Sequence, residues 1–194
     1  MGAAGGGKTA RGGRPDEPLS KGPGVGEPAP ALDLPRLDGT RLRLDNLKGR
    51  IVVLVFGSYS SPSFRNRAAA LDQLRLETGT KAQFIVIYGR EAHPAGEWEV
   101  SRNKQDGVAV QQPRTDADRK ALAQTARETL KLTTPIALDT IDNSAASAYG
   151  AGANSAYVIG RDGKIAARQA WFEPLALKRA IDAAAKGGDA GAGE

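Results

Sequence analysis

Two hydrophobic periodicities alternate along the chain. Ile51-Val-Val-Leu-Val-Phe56 and Gln83-Phe-Ile-Val-Ile-Tyr88 are short, apolar, β-branched runs, the pattern of strands covered on both faces of a sheet. Between them Phe64, Ala68, Leu71 and Leu74 recur at helical spacing, with Pro62 suited to a first turn, which predicts a helix from Pro62 to about Thr78. Upstream, Leu32–Leu37 and Arg41–Leu44 flank Asp38-Gly39, a hairpin signal. Downstream, Thr115 with Asp118 reads as a capping box opening a helix to about Leu130. Ile136–Leu138 reads as a short strand, and Asp142 as the cap of a short helix that Gly150 ends. Ser155–Ile159 and Lys164–Arg168 read as a hairpin about Asp162-Gly163, followed by a last helix from about Glu173 to Ala185. The order is that of an α/β sandwich with a mixed sheet, an N-terminal hairpin and an insertion after the second central strand.

Composition bounds this picture. With 194 residues and 40% hydrophobic content, the chain suits one domain with tails. Residues 1–24 and 187–194 are Gly-rich and poor in apolar side chains, so both are expected to be disordered, leaving 25–186 as the domain. Lys8, Arg11, Arg14 and Lys21 against Asp16 and Glu17 account for +2 of the +5 net charge, and the rest is mixed in sign. Nucleic-acid binding, which needs a basic stripe with stacking partners, is not expected. No apolar run is long enough to span a bilayer and no secretory segment is visible, so a soluble, cytoplasmic protein without membrane contact is expected. The absence of cysteine removes disulfides, thiolate metal sites and any CxxC redox pair. Neither cofactor nor metal is expected, since His93 is the only histidine.

Two apparent motifs are set aside. Gly2-Ala-Ala-Gly-Gly-Gly-Lys-Thr9 satisfies the phosphate-loop spacing, but that loop works only between a buried strand and a helix, and no strand precedes it. Asp139-Thr-Ile-Asp-Asn143 has the look of a cation site, yet a strand end followed by a helix cap explains it better.

Several segments resemble the redoxin branch of the thioredoxin superfamily, and within it the iodothyronine deiodinase family with its bacterial relatives. Val25–Gly39 and Leu44–Gly49 are similar to the opening hairpin of redoxins. Val55-Phe-Gly-Ser-Tyr-Ser-Ser-Pro-Ser-Phe64 is similar to the deiodinase reactive loop. Ile87-Tyr-Gly-Arg-Glu-Ala-His-Pro-Ala-Gly-Glu-Trp98 is similar to the family's Glu-Ala-His-Pro segment and following Trp. The resemblance covers about residues 25–185 and implies a thioredoxin-like sandwich and reductive chemistry at a selenocysteine or cysteine. That position falls on Ser61, and the family's neighbouring cysteine falls on Tyr59. The superfamily's cis-proline falls on Ala153, so that bond is expected to be trans.

The resemblance places Ser61, His93 and Glu91 as candidate catalytic residues, with Tyr59, Pro62, Phe64 and Trp98 as candidate substrate-binding residues. A helix N-terminus stabilises a thiolate or selenolate, but an alcohol there stays protonated at neutral pH and forms no sulfenyl or selenenyl intermediate. Three readings stand. One is a redox-inactive member that binds an unknown small molecule at this pocket. The second is an enzyme with residual reductive activity or Ser-His hydrolysis, although the Gly-x-Ser-x-Gly elbow is missing. The third is a module that binds a protein partner.

Overall fold

A computed structural model describes residues 22–189. The phosphate-loop-like stretch 2–9 lies outside the described residues. The chain opens with an antiparallel hairpin, β1 (Asp33–Pro35) and β2 (Arg41–Arg43), shorter than the predicted strands because Leu44–Leu47 winds into a 3-10 turn. β3 (Ile51–Gly57) leads through α1 (Pro62–Thr78) to β4 (Ala82–Tyr88). The insertion after β4 carries a short helix, α2 (Ser101–Gln105), which the hydrophobic pattern did not announce. Then follow α3 (Asp116–Leu130), β5 (Ile136–Leu138), α4 (Ser144–Tyr149), β6 (Ala156–Ile159), β7 (Ile165–Gln169) and α5 (Pro174–Asp189). Residues 187–189, expected as tail, are thus helical.

The main sheet runs β5-β4-β3-β6-β7, with β3, β4 and β5 mutually parallel and β6 and β7 antiparallel. Strand β3 pairs on both sides, which is why every one of its side chains is buried. Its side chains alternate between two cores. Ile51, Val53 and Val55 meet α1, α3 and α5 through Phe64, Leu71, Ala123, Ala126, Leu177 and Ile181. Val52, Leu54 and Phe56 meet the hairpin and α4 through Leu34, Leu42, Ala145 and Tyr149. On that second face Phe56, Tyr149 and Tyr157 form a ring cluster with centroids 5.0–6.1 Å apart.

Sheet edges are sites of unwanted pairing, and the N-terminal segment covers both. Arg36 bridges Ala137 and the Leu37 N–H donates to the Ile136 carbonyl on the β5 edge. On the other edge Gly26 and Ala29 donate to Ile165 and Gly163, and Ile165 donates back to Glu27. The hairpin is therefore part of the fold rather than an appendage.

The capping box of α3 forms as predicted, with Thr115 and Asp118 bonding each other's backbone. The cap of α4 differs. Asn143 occupies the cap position, and Asp139, three residues before Asp142, reaches over to accept from the Ala145 and Ala146 N–H groups at 2.8 and 2.9 Å. A carboxylate at the end of β5 can satisfy helix donors that Asp142, pointing outward from the turn, leaves open. The 139–143 segment is accordingly a cap and turn. It is held from behind by the buried Arg119 guanidinium, which donates to the carbonyls of Asp139 and Thr140 and to Asn143 Oδ1. No peptide bond among the described residues is cis, Ala153 included.

Candidate functional site

The parallel pair β3–β4 sends two loops off the same end of the sheet, where clefts in open α/β folds form. The first loop, 58–61, turns into α1. Ser61 is the N-cap in extended conformation (φ −80°, ψ 109°), Pro62 takes the first turn, and Ser61 Oγ accepts the Phe64 N–H at 3.3 Å. This is the sole hydrogen bond of that oxygen among the described residues. Gly57 is required here for space: a Cβ on it would stand 2.4 Å from the Phe64 ring. Phe64 thus belongs to the core and is 2% exposed.

The second loop, Gly89–Pro94, is stapled to the first by side-chain hydrogen bonds. Ser58 Oγ accepts the Ala92 N–H at 3.1 Å and Ser60 Oγ accepts the His93 N–H at 2.9 Å. Glu91 reaches back, its Oε2 accepting the Ser60 N–H at 2.6 Å and its Oε1 accepting the Tyr88 phenol. Tyr88 Oη in turn accepts the Tyr59 N–H at 3.1 Å. Burial, and then the neighbouring Glu91 carboxylate, push the Tyr88 phenol well above its ordinary range, so it remains a donor.

The insertion closes the arrangement. Asn103 on α2 donates through Nδ2 to the Ser60 carbonyl at 2.8 Å and the His93 carbonyl at 3.4 Å. Gln112 clamps the Glu91 backbone, accepting its N–H at 2.9 Å and donating to its carbonyl at 3.2 Å. Arg65 on α1 donates to the Tyr59 carbonyl at 2.8 Å and pairs with Asp106 at 2.7 Å. His93 Nδ1 lies 2.9 Å from the Trp98 carbonyl, and because that oxygen only accepts, Nδ1 carries the hydrogen.

These bonds decide what the predicted residues can do together. Ser61, Tyr59 and Pro62 lie on one loop and Glu91 and His93 on its neighbour, so the two motifs do converge. Ser61, Glu91 and His93 do not form a hydrolytic relay, because Ser61 Oγ serves α1 while both Glu91 oxygens serve Ser60 and Tyr88. Ser61 is also 2% exposed. Trp98, 38% exposed as a residue, contributes its backbone to His93, while its ring centre lies 5.5 Å from the Arg90 guanidinium carbon. Ser58, Ser60, Tyr88, Asn103 and Gln112 were not singled out from sequence. The two serines stood inside the reactive-loop motif, but nothing in their spacing says that they staple a second loop. Asn103 carries no local signal, since its partner Ser60 is 43 residues away, and Gln112, which opens a Gln-Pro-Arg-Thr segment of the family resemblance, has nothing in its spacing to tie it to Glu91, 21 residues before it.

Beside this network the insertion encloses a cleft of about 360 Å³. His93, Ala95, Val100, Asn103 and Val108 line it, with the Glu99–Lys104 ion pair (3.1 Å) at its rim. Among the described residues no cluster of three His, Asp or Glu side chains has metal-ligand geometry, and no helix is long and apolar enough to cross a membrane.

Similarity to known proteins identifies the fold and the family. Among solved structures, the thioredoxin domain of a thiol-disulfide oxidoreductase from Bacteroides vulgatus superposes with a TM-score of 0.59 at 16% identity, covering 81% of this chain and 98% of that one. The exposed lipoprotein thioredoxin of Streptococcus pneumoniae gives 0.58 at 18%, covering 79% and 99%. At these identities the likeness is one of fold, the thioredoxin-like sandwich. Thyroxine 5-deiodinase of Gallus gallus is 38% identical over 138 residues, 70% of this chain and 52% of that protein. Type I iodothyronine deiodinase of Xenopus laevis is 34% identical over 143 residues, covering 73% and 54%. The chain therefore spans about half the length of the curated relatives it matches. With residues 18–170 matching the family described as iodothyronine deiodinase, and the reactive-loop and Glu-Ala-His-Pro segments meeting at one end of a thioredoxin-like sheet, the chain belongs to the iodothyronine deiodinase family.

Proposed function

We propose that this deiodinase-family chain binds a small molecule or protein partner at the 58–61 loop and the adjoining cleft, and does not reduce it. The supporting observation is the chemistry of position 61. The helix N-terminus that would hold a thiolate or selenolate holds a hydroxyl, and that hydroxyl is occupied in capping α1. Reductive removal of halogen, or reduction of a peroxide, needs an atom that accepts the leaving group and is then regenerated by an external thiol. An alcohol oxygen supplies no such step, and with no cysteine in the chain no other residue replaces it. Meanwhile Glu91 and His93 are buried and hydrogen-bonded to the Ser60 backbone and side chain, which orders the two loops.

Family membership favours a second reading, an oxidoreductase acting on a thyroxine-like or peroxide substrate. One experiment separates them. The unmodified full-length chain and a Ser61→Cys variant are assayed side by side for dithiothreitol-dependent deiodination of thyroxine and for peroxide reduction. The expected outcome is background turnover for the unmodified chain and measurable turnover only for the variant. Thiol consumption in step with product by the unmodified chain defeats the binding reading.

A further inference from the structure

Asn154 combines two penalties at one position. Its φ is 83°, in the left-handed region that side-chain-bearing residues seldom adopt, and it is fully buried. Both polar atoms of its side chain, Nδ2 and Oδ1, are sealed from solvent without a hydrogen-bond partner among the described residues. A primary amide can donate twice and accept twice, so leaving all of it unmatched works against the conformation that seals it. Such a residue persists only where its surroundings over-determine it, which is the mark of a segment with a second arrangement close in free energy.

The restraint on Asn154 is narrow. Its N–H donates to the Phe56 carbonyl at 2.6 Å and its carbonyl accepts the Phe172 N–H at 2.7 Å. The two ends of the loop are fixed by other bonds. Ala151 N–H is tied to the Ala146 carbonyl of α4 at 2.8 Å, and the Ser155 carbonyl accepts the Phe56 N–H at 2.8 Å. Gly152 and Ser155 close a turn between these ends, with the Gly152 N–H on Ser155 Oγ at 3.0 Å and the Ser155 N–H on the Gly152 carbonyl at 3.1 Å. Residues 152–154 can therefore swing while their flanks stay in place, and Gly152 supplies a link with little steric resistance.

The position of this segment gives the swing a consequence. Phe56 lies two residues ahead of Ser58, where the 58–61 loop begins, and Phe172 precedes Glu173, whose carboxylate pairs with Arg67 on α1 at 2.7 Å. Strand β6, which the segment feeds, lies across β3 from β4 and its insertion.

We propose that residues 152–154 form a gate on this flank of the site. In the closed state, the one described, Asn154 is buried with a positive φ. In the open state its amide is hydrated, its φ is negative, and the Phe56 carbonyl and Phe172 N–H are uncovered at the root of the 58–61 loop. The gate concerns the shape of the site and not its chemistry, so it does not depend on whether the loop binds or reduces its ligand.

Native-state hydrogen exchange on the full-length chain, followed by NMR, tests it. Opening breaks the bonds of the Asn154 and Phe172 amides but spares the Phe56 amide, which is held by Ser155 at the fixed end. Corrected for intrinsic rates, Asn154 and Phe172 should exchange through one shared opening, at least about a hundredfold faster than Phe56. Their rates should be nearly flat in low urea, because a local opening exposes little surface, whereas the Phe56 rate should rise with the slope of global unfolding. Asn154→Gly accepts a positive φ without strain and has no amide to bury, so it should hold the gate shut and raise the protection of Phe172 by about tenfold or more. Exchange of all three amides together, separate openings for Asn154 and Phe172, or a glycine variant with Phe172 no better protected overturns the proposal. Redox turnover by the unmodified chain in the assay above would defeat the inactive reading and leave this exchange pattern unchanged.

Discussion

Glu91 is the point at which the two family segments are joined, and its removal should be disproportionately costly. Its carboxylate is fully buried and accepts from the Ser60 N–H at 2.6 Å and from the Tyr88 phenol. Glu91→Ala strands both donors in a dry place. At about 1–3 kcal/mol for each stranded group, and more when the lost partner is charged, the expected loss is about 3–5 kcal/mol. That is a large share of the roughly 5–15 kcal/mol by which domains are stable. Glu91→Gln is milder for a definable reason. Its amide oxygen can still take the Ser60 N–H, and its amide nitrogen can donate to Tyr88 Oη, leaving only the phenol hydrogen unmatched, for about 1–2 kcal/mol. Tyr88→Phe strands the Tyr59 N–H and Glu91 Oε1 and should cost about 1–3 kcal/mol. In the double variant Glu91→Gln/Tyr88→Phe the losses should fall short of additive by about 1 kcal/mol or more, because both changes break the same contact. Urea unfolding, with midpoints compared at constant slope, reads all four. If Glu91→Ala shifts stability by less than about 0.5 kcal/mol, or the two single changes simply add, Glu91 is not the joint described here.

Three further outcomes are expected. Tyr88, Tyr149 and Tyr157 have phenols pushed up, each chiefly by burial, so ultraviolet titration should show them silent near pH 10 in the folded protein. The folded state then holds protons that the unfolded chain releases, so stability should fall as pH rises past about 10; normal ionisation of all three without unfolding would contradict their burial. Asp72 on α1 accepts from the backbone N–H and hydroxyl of both Thr133 and Thr134, at 2.6–2.9 Å. Burial alone would raise its pKa, but these donors together lower it. Its contribution is therefore present above the unfolded value of about 4 and lost as pH falls through the lower folded value; Asp72→Asn should lose about 1–2 kcal/mol at neutral pH and flatten the acid side of the stability profile. Gly57→Ala would force a Cβ to 2.4 Å from the Phe64 ring and should cost about 1–3 kcal/mol by overpacking, with a thermal midpoint equal to the parent's as the contrary result.

Parts of the site were legible because their signals are local. Pro62 in the first turn follows from residue preference within a single turn, and the capping box of Thr115 and Asp118 spans only three residues. The cap of α4 was misplaced onto Asp142 because preference sees only the nearest carboxylate; the strand end swings Asp139 into reach instead. Phe64 ends the reactive-loop motif, and helical geometry turns its ring inward onto Gly57. The helix α2 is five residues long with Asn103 its only buried residue, so no hydrophobic rhythm marked it.

The sequence by itself determined the central strands, the helix after the 58–61 loop, the alternation of strands and helices and the absence of cysteine. Each of these is carried by residue type or by a period of two or 3.6, which neighbours along the chain enforce. Tertiary structure alone decided that the hairpin covers one sheet edge and the segment before it the other, that Glu91 bonds Ser60 and Tyr88 rather than His93, and that Asn103 ties the Ser60 and His93 carbonyls together. Those facts depend on which groups meet across 31 and 43 residues of chain. A hydrogen bond between distant residues leaves no periodicity in the sequence, because its partners are chosen by the register of β3 on β4 and the path of the loops that follow.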